Sequence, residues 1–581
     1  MIGPYQMVAI NLIFSLLILS GALFYKFIYP KKNLNLFVLL LVISIPPIIS
    51  IFRAGAYESG DFDIHVRRSM EFFQSLNEGV LIPSWAANLN ATYGYPVFSF
   101  DYILPYYVIS FFHFLSFSFI TSLKLFLAIN FILSGVFMYL FSKNHFKNTF
   151  AAFATSVFYL FAPYHLIALH FKITIGEILA YTLIPLVFYF ISKFLDNKKS
   201  IHLLLGGLLL GLTILSHIAV GIFLLPVIFI FIYNATNRMI KTLLNMLLII
   251  FIALLVAAFQ WSAPLIYASY LFTTYHPLGL NSLYFPSLTD LLYAPWRLGF
   301  LFQGPKGELS FLIGYAQILI VAAIIIQLLK NKIGQYKKTL VIWLLIFAGY
   351  IFFITPYSKI IWQNLPLLKD VGSQRLLIIM AFIASMLAGY FFLLNYKRKY
   401  LLYLLIIFAI GSTILNWGNR RTIPTINDAT LRNNLSLGYE WGDTHFYALP
   451  KWVNPNQQWF TKIPSQHLKT LQGKAIIKEI SRTSTLHTYE IRATMQVRLQ
   501  ENTLYFPGWT ATFNNSAVAL RPDSNGVITL NLPKGKGTLK INYADLRLFQ
   551  LTKALSIVSI VLILLYALIY CLRERLFRPK P

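Results

Sequence analysis

Two aspartates one residue apart, Asp61 and Asp63, head the polar run Gly60-Asp61-Phe62-Asp63-Ile64-His65-Val66-Arg67, just after an apolar stretch that ends near Phe52. Carboxylates beside a membrane-spanning segment are costly, so a pair of them there calls for a reason. An aspartate can deprotonate an acceptor hydroxyl. Two aspartates can also help to hold a divalent ion, Mg²⁺ or Mn²⁺, through oxygen ligands. The blander reading is a solvated helix N-cap, where a carboxylate complements the helix dipole.

The elements that must position this pair are membrane elements. A mean hydropathy of +0.65, with 57% apolar and 12% charged residues, excludes an ordinary soluble globular protein. Apolar runs of about 20 residues recur along the chain, each long enough to cross a hydrocarbon core. The net charge of +28 would suit nucleic acid. However, the basic residues fall mainly in short loops between apolar runs and in the last ten residues, which is the positive-inside pattern, and nucleic acid is not an expected partner. One cysteine, Cys571, allows no intrachain disulfide. The first apolar run has no basic residue before it and no small-residue cleavage site, so it reads as a retained helix.

Loop charge sets the expected topology. Lys31 and Lys32 place the first hairpin tip in the cytoplasm, which leaves the N-terminus and residues 53–100 outside. Basic loops at 142–147, 193–199, 235–241, 330–338 and 397–399 belong inside. An odd number of crossings must therefore separate 53–100 from 142–147, yet two apolar runs, 102–119 and 121–141, lie between them. The first, with Pro105 and His113, is expected to lie along the outer surface or re-enter from it. Thirteen crossings follow: 7–29, 34–52, 121–141, 148–163, 176–192, 201–216, 218–234, 241–263, 310–329, 339–355, 376–395, 400–416 and 552–571. The C-terminus is then cytoplasmic, with long outer loops at 264–309 and 356–375.

The expected fold class is thus a polytopic α-helical membrane protein with a C-terminal extracytoplasmic β-sandwich-like domain. Its parts are a transmembrane domain over 1–416 with a first outer loop at 53–120, a mainly β domain over 417–550, and a last helix with a basic tail over 551–581. Residues 62–77 read as an amphipathic helix. Alternation predicts strands at 489–500, 503–506, 509–513, 527–532 and 537–543.

This topology collects polar groups on the outer face: Asp61, Asp63, His65 and Arg67 from the first loop, then Tyr164, His165, His170, Lys172 and Glu177. His217 lies at a short turn, and Arg297 and Arg375 come from later loops. Carboxylates ringed by cations suit a transferase, with Arg375, His217 and Lys172 as candidates for a donor phosphate. Each has a structural alternative: Glu177 as a helix cap, His217 as a turn residue, Arg375 as a headgroup anchor. Asp61-Phe62-Asp63 has the D-x-D spacing by which many sugar-nucleotide transferases bind metal. Nucleotide sugars are not available outside, so a polyprenyl-phosphate-linked sugar is the reasonable donor. The chain has no Walker loop, H-E-x-x-H or G-x-S-x-G motif.

These residues carry a resemblance. The run 60–67, Gly79-Val80-Leu81-Ile82-Pro83-Ser84-Trp85 and Tyr93-Gly94-Tyr95-Pro96-Val97-Phe98 resemble the GT-C superfamily, and more closely the YfhO-like membrane proteins labelled 6-pyruvoyl-tetrahydropterin-synthase-related. Ala162-Pro163-Tyr164-His165, Gly176-Glu177, Ser216-His217 and Gln374-Arg375 continue the pattern. So do Leu504-Tyr505-Phe506-Pro507-Gly508-Trp509 and Leu532-Pro533-Lys534-Gly535 in the β region. The resemblance implies inverting transfer of a sugar from a polyprenyl phosphate, with Asp61 as the counterpart of the family's first-loop base. One departure is the helix at 7–29, which precedes the span that usually comes first in GT-C proteins.

The expectation is therefore a plasma-membrane glycosyltransferase acting on the extracytoplasmic face. Asp61, Asp63 and Glu177 are its catalytic carboxylates, with Asp61 and Asp63 also candidate metal ligands. Arg375, His217 and Lys172 bind the donor phosphate, and His65, Arg67 and His165 complete the site. The acceptor is a glycan, lipid or protein. The alternatives are a transporter or flippase for a lipid-linked glycan, and a non-catalytic envelope-assembly scaffold.

Overall fold

The computed structural model describes residues 3–58, 60–275, 285–364, 372–418, 421–433, 448–453 and 463–576. Ser59, and parts of the expected loops 264–309 and 356–375 and of the region 417–550, lie outside the described residues.

Among the described residues, nine helices are long and apolar enough to cross a membrane. A tenth candidate is the pair Thr149–Leu160 and Pro163–Lys172, bent by 45° where Pro163 breaks the backbone ladder. Three shorter apolar helices, Leu36–Phe52, Ser200–Ser216 and Tyr315–Leu329, fill the remaining places. Taken in order, these elements occupy the thirteen segments expected from hydropathy. The run at 102–119 becomes the 11-residue helix Leu104–Phe114. Its rise of about 17 Å is roughly half a hydrocarbon core, too short to cross alone.

The helix Ser373–Leu394 lies at the centre, with 94% of its apolar window buried. It packs against Thr149–Leu160, Tyr315–Leu329 and Lys337–Ile354. Phe119–Phe146 and Ile175–Asn197 pack together beside it, and Ser200–Ser216 lies on the latter. The other side of Ser200–Ser216 closes on Met239–Val256, and glycines permit this: a Cβ on Gly207 or Gly211 would meet Ile252 or Val256 within 3 Å. The first and last long helices are peripheral, with only 11% and 6% of their windows buried.

The helix Phe62–Asn77 carries the aspartate run. Phe62, Val66, Met70 and Phe72 bury its apolar stripe, as its period requires. Its polar residues are not simply solvated, because His65, Arg67, Arg68 and Glu71 are also buried.

Strand β1 (Ala56–Tyr57) precedes this helix and pairs antiparallel with β2 (Thr422–Ile423). Nine further strands form two antiparallel sheets: β3 (Leu468–Gln472), β4 (Ala475–Arg482), β5 (Leu486–Ala493), β6 (Val497–Leu504), β7 (Trp509–Phe513), β8 (Ser516–Val518), β9 (Leu520–Pro522), β10 (Val527–Leu532) and β11 (Gly535–Tyr543). The sheet orders are β3-β6-β10-β9 and β4-β5-β11-β7-β8. Leu499, Ile528 and Leu530 of the first and Ile491, Leu539 and Ile541 of the second are buried, as in a sandwich.

Three strand expectations are corrected. The run 489–500 is two strands, β5 and β6, turning at 494–496, where no Gly or Pro marks the turn. Residues 503–504 are the end of β6, and 505–506 follow it without forming a strand. Strands β3 and β4 were not anticipated.

The sheets dock on the first loop. Trp85 meets Trp509 edge-on with ring centroids 5.3 Å apart, and the Leu504 N–H donates to Tyr93 O at 2.9 Å. Lys553 Nζ, in the last helix, donates to Ile82 O at 2.8 Å and to Asp545 Oδ2 at 2.6 Å. Arg482 Nη2 reaches Thr92 O at 3.4 Å, while its Nη1 pairs with the fully buried Glu501.

Candidate active site

Two backbone breaks bring the first loop to the helical core. After the bend at Pro163 the helix widens into a π-turn at Ala168–Lys172 and ends at Ile173, which is left-handed with φ 56°. Such turns expose backbone groups that an α-helix would consume. The Lys172 carbonyl accepts from the Asp61 N–H at 2.9 Å. Gly60 makes this approach feasible: its φ is +51°, and a Cβ there would lie 2.1 Å from Lys172 O.

Asp61 is the N-cap of Phe62–Asn77, but its carboxylate makes no capping bond among the described residues. Its carboxyl is pushed above the usual aspartate range by burial, against the pull of Lys172 and Arg68 and with the help of the Glu177 and Asp63 charges. That combination suits a proton acceptor.

Glu177 sits in the first turn of Ile175–Asn197, where the helix dipole favours an anion. Its side chain is 1% exposed and every acceptor direction is occupied. Tyr164 Oη donates to Oε2 at 2.8 Å, Lys172 Nζ lies 3.3 Å from both oxygens, and Thr174 Oγ1 reaches Oε2 at 3.3 Å. Arg375 Nε donates to Oε1 at 3.0 Å. Arg375 stands in the short turn Ser373–Leu376 that leads into the central helix, and Ser373 Oγ is bonded to Ile354 O at 2.7 Å. Glu177 therefore anchors two cations. The side chains of Lys172 and Arg375 keep 17% and 31% exposure, enough to meet an incoming anion.

His217 links Ser200–Ser216 to Ile218–Thr236 in extended backbone. Its ring stacks on Tyr102 with centroids 6.0 Å apart, and its buried Nδ1 has no partner among the described residues. His65 is buried, with Nδ1 3.0 Å from Tyr106 Oη and Nε2 3.5 Å from Tyr102 Oη.

The remaining expected residues lie apart from the Glu177 cluster. Asp63 pairs with Arg67 one helical turn on, at 3.8 Å. His165 stacks between Phe131 and Tyr181 inside the bundle, and its Nδ1 lies 2.9 Å from Leu160 O. No group of three or more His, Cys, Asp or Glu able to hold a metal occurs among the described residues. Asp63 faces Arg67, and no step in the proposed reaction is routed through an ion.

Sequence reasoning missed three site residues. Arg68 and Asp101 form a fully buried ion pair at 2.6 Å behind the Asp61 helix. Tyr102, next to Asp101, lies between that helix and Glu177's. The only sequence signal was an aspartate opening an aromatic run, which reads equally well as a membrane-interface feature.

Residues 100–421 match the family described as 6-pyruvoyl-tetrahydropterin synthase related domain, membrane protein. The chain belongs to that family. The match covers more than half of its length and includes Lys172, Glu177, His217 and Arg375, while Asp61 precedes it. A Lactococcus lactis subsp. cremoris (strain MG1363) protein described as uncharacterized is 26% identical over 176 residues, 30% of this chain and 28% of its own length. The chain therefore spans little more than a quarter of that relative. Two solved structures are similar at 14% identity. One is the archaeal oligosaccharyltransferase AglB from Archaeoglobus fulgidus in complex with an inhibitory peptide and a dolichol-phosphate, at TM-score 0.39 over 73% of this chain and 60% of that one. The other is the apo Archaeoglobus fulgidus oligosaccharyltransferase, at TM-score 0.42 over 74% and 62%. At those TM-scores neither likeness carries an argument here.

Proposed function

We propose that this member of the 6-pyruvoyl-tetrahydropterin-synthase-related membrane family is a glycosyltransferase of GT-C type. It would move a sugar from a polyprenyl-phosphate-linked donor to a glycan, lipid or protein acceptor on the extracytoplasmic face of the plasma membrane. The observation that carries this reading is the Asp61–Lys172–Glu177–Arg375 arrangement. A desolvated carboxylate is fastened through its own backbone to a segment whose lysine, together with a distant arginine, is held by one buried glutamate.

The chemistry follows from the charges. Lys172 and Arg375 bind the donor phosphate and stabilise the negative charge that grows on it as the sugar–phosphate bond breaks. Asp61 takes the acceptor hydroxyl's proton as that oxygen attacks the anomeric carbon, and the lipid phosphate departs. Glu177, with its acceptor directions filled, positions the two cations and does not touch the reacting atoms.

The bend at Pro163 favours a second reading, transport of a lipid-linked glycan, since transporters build sites at interrupted helices. One experiment separates the two. Purified protein in lipid is given a panel of radiolabelled polyprenyl-phosphate sugars with alkyl glycoside acceptors, with and without Mg²⁺ or Mn²⁺. Transfer by the wild type that is lost in Asp61→Asn supports the enzyme. Lipid flipping without transfer sinks it in favour of the carrier.

A further inference from the structure

A half-enclosed pocket of about 190 Å³ lies where the first loop, the β sheets and the last helix meet. Ser75, near the end of Phe62–Asn77, forms part of its wall, with Ser84 and Trp85 from the loop that follows. Thr485, just before β5, and Tyr543 and Asp545, which lead from β11 into Arg547–Leu576, complete it. The Tyr543 N–H donates to Thr485 O at 2.8 Å and so joins two of these walls.

Two hydroxyls at the wall are unused. Ser75 is 2% exposed, yet its side chain makes no hydrogen bond among the described residues. Earlier in the same helix Ser69 Oγ donates to His65 O at 2.7 Å, the usual recourse of a buried helical serine. The Thr485 hydroxyl is likewise unbonded among the described residues. A buried hydroxyl left without a partner costs free energy, so one that lines a pocket marks where a polar group arrives.

The rest of the wall sets the ligand's chemistry. The Trp85 and Tyr543 rings are 5.3 Å apart, and Trp509 packs on them at 5.3 and 5.2 Å. Asp545 is the one charged residue lining the pocket among the described residues, and Lys553 Nζ neutralises it at 2.6 Å. Ser84 Oγ is held between the two, donating to Asp545 Oδ2 at 2.9 Å and accepting from Lys553 at 2.6 Å. A phosphate or carboxylate finds no free cation on this wall. The room is that of about six waters or one sugar ring, well under the ~300 Å³ of a site for a drug-sized molecule. A neutral sugar suits it: its hydroxyls meet Ser75 and Thr485, and its C–H face meets the aromatic rings.

We propose that this pocket binds one sugar unit of a neutral oligosaccharide acceptor, at a distance from the reacting end. Asp61 and Ser75 stand on one helix, and about 21 Å of it separates them. A monosaccharide at Asp61 cannot reach the pocket, whereas a chain of several sugars spans both. The pocket thereby makes the enzyme sensitive to acceptor length. That the bound sugar is an acceptor rests on the transferase reading, but the binding itself does not.

Binding is therefore measured without turnover, by calorimetric titration of the full-length protein in lipid with maltohexaose, chitohexaose and mannohexaose. At least one of them should bind the wild type. Ser75→Leu fills the pocket without removing a contact, so it should abolish that binding while leaving the melting temperature at or above the wild-type value. Thr485→Val deletes one wall hydroxyl and should weaken binding about fivefold, the worth of one hydrogen bond. It decides the matter where Ser75→Leu folds poorly. In the transfer assay, Ser75→Leu should raise the KM for the hexasaccharide and leave that for a short alkyl glycoside as it was. No binding of any hexasaccharide at millimolar concentration, or wild-type binding in both variants, overturns the pocket and leaves the transferase standing. A hexasaccharide KM unmoved by Ser75→Leu overturns the acceptor role. Binding with these effects but no transfer from any donor keeps the sugar pocket and sinks the transferase.

Discussion

Arg375 Nε lies 3.0 Å from Glu177 Oε1, a contact between residues 198 positions apart that joins the central helix to the helix beginning at Ile175. Removing one partner of a buried pair leaves the other charge uncompensated, at about 3–5 kcal/mol. Partial solvation of Arg375 and Lys172 reduces this. Glu177→Gln should lower the unfolding free energy by about 2 kcal/mol, read from denaturation in detergent, and weaken decaprenyl phosphate binding because the cations lose their anchor. A variant as stable as the wild type would show that Glu177 holds nothing together.

Asp61→Asn tests chemistry rather than stability. The amide keeps the shape and leaves the backbone bond to Lys172 O intact, so the melting temperature should not move. Transfer should fall about 10²–10⁴-fold, the usual contribution of a general base. In the wild type, the rate should rise with pH along an acid limb whose midpoint lies above the ordinary aspartate value of 3.8, because burial raises this carboxyl. Disappearance of that limb in Asp61→Asn would assign it.

Glu71 links pH to stability. It is buried in Phe62–Asn77, and burial lifts its carboxyl from 4.5 to about 7 despite hydrogen bonds from the Asn88 backbone and side-chain amides at 2.7 and 3.0 Å. Between those two values the folded chain holds a proton that the unfolded chain has released. Stability therefore falls as pH rises from about 4.5 to about 7 and levels off above that, by about 3 kcal/mol for this group. Glu71→Gln should flatten the melting temperature across that window and stabilise the protein at pH 8.

Asp101→Ala should be among the most damaging single changes in the first loop. It leaves Arg68, fully buried, without its 2.6 Å partner, at a cost of about 3–5 kcal/mol. Replacing the pair together by Arg68→Met and Asp101→Leu should recover much of the melting temperature while leaving His65 without its Tyr106–Asp101 support. A recovered melting temperature with transfer still impaired would separate the structural use of the pair from its influence on the site.

The spanning elements were legible because length and hydropathy are local properties. The shortness of Leu104–Phe114 could be anticipated by counting crossings against basic loops. The site was legible only as a list of residues expected to share one face of the membrane. Whether Glu177 meets Arg375 or His165 meets Phe131 depends on which way each helix face turns, and hydropathy does not report that when the helix is apolar on all sides. His165 was drawn in by its place after Pro163, yet the first turn rotates it into the bundle. The β5–β6 turn was hidden because Thr494, Met495 and Gln496 are not turn formers, and the tertiary ladder imposed the reversal.

The bond from the Asp61 N–H to Lys172 O has a mechanical consequence. Lys172 rides on the half-helix beyond the bend at Pro163, and Asp61, the N-cap of Phe62–Asn77, is tied to it by this bond, so rocking about the bend would carry the two together. Their mutual spacing would be insensitive to such a motion, while their distance to Arg375, fixed in the central helix, would change with it. The gap that must admit a phosphate would then be governed by a single angle, much as the jaw of a clamp is set by one screw.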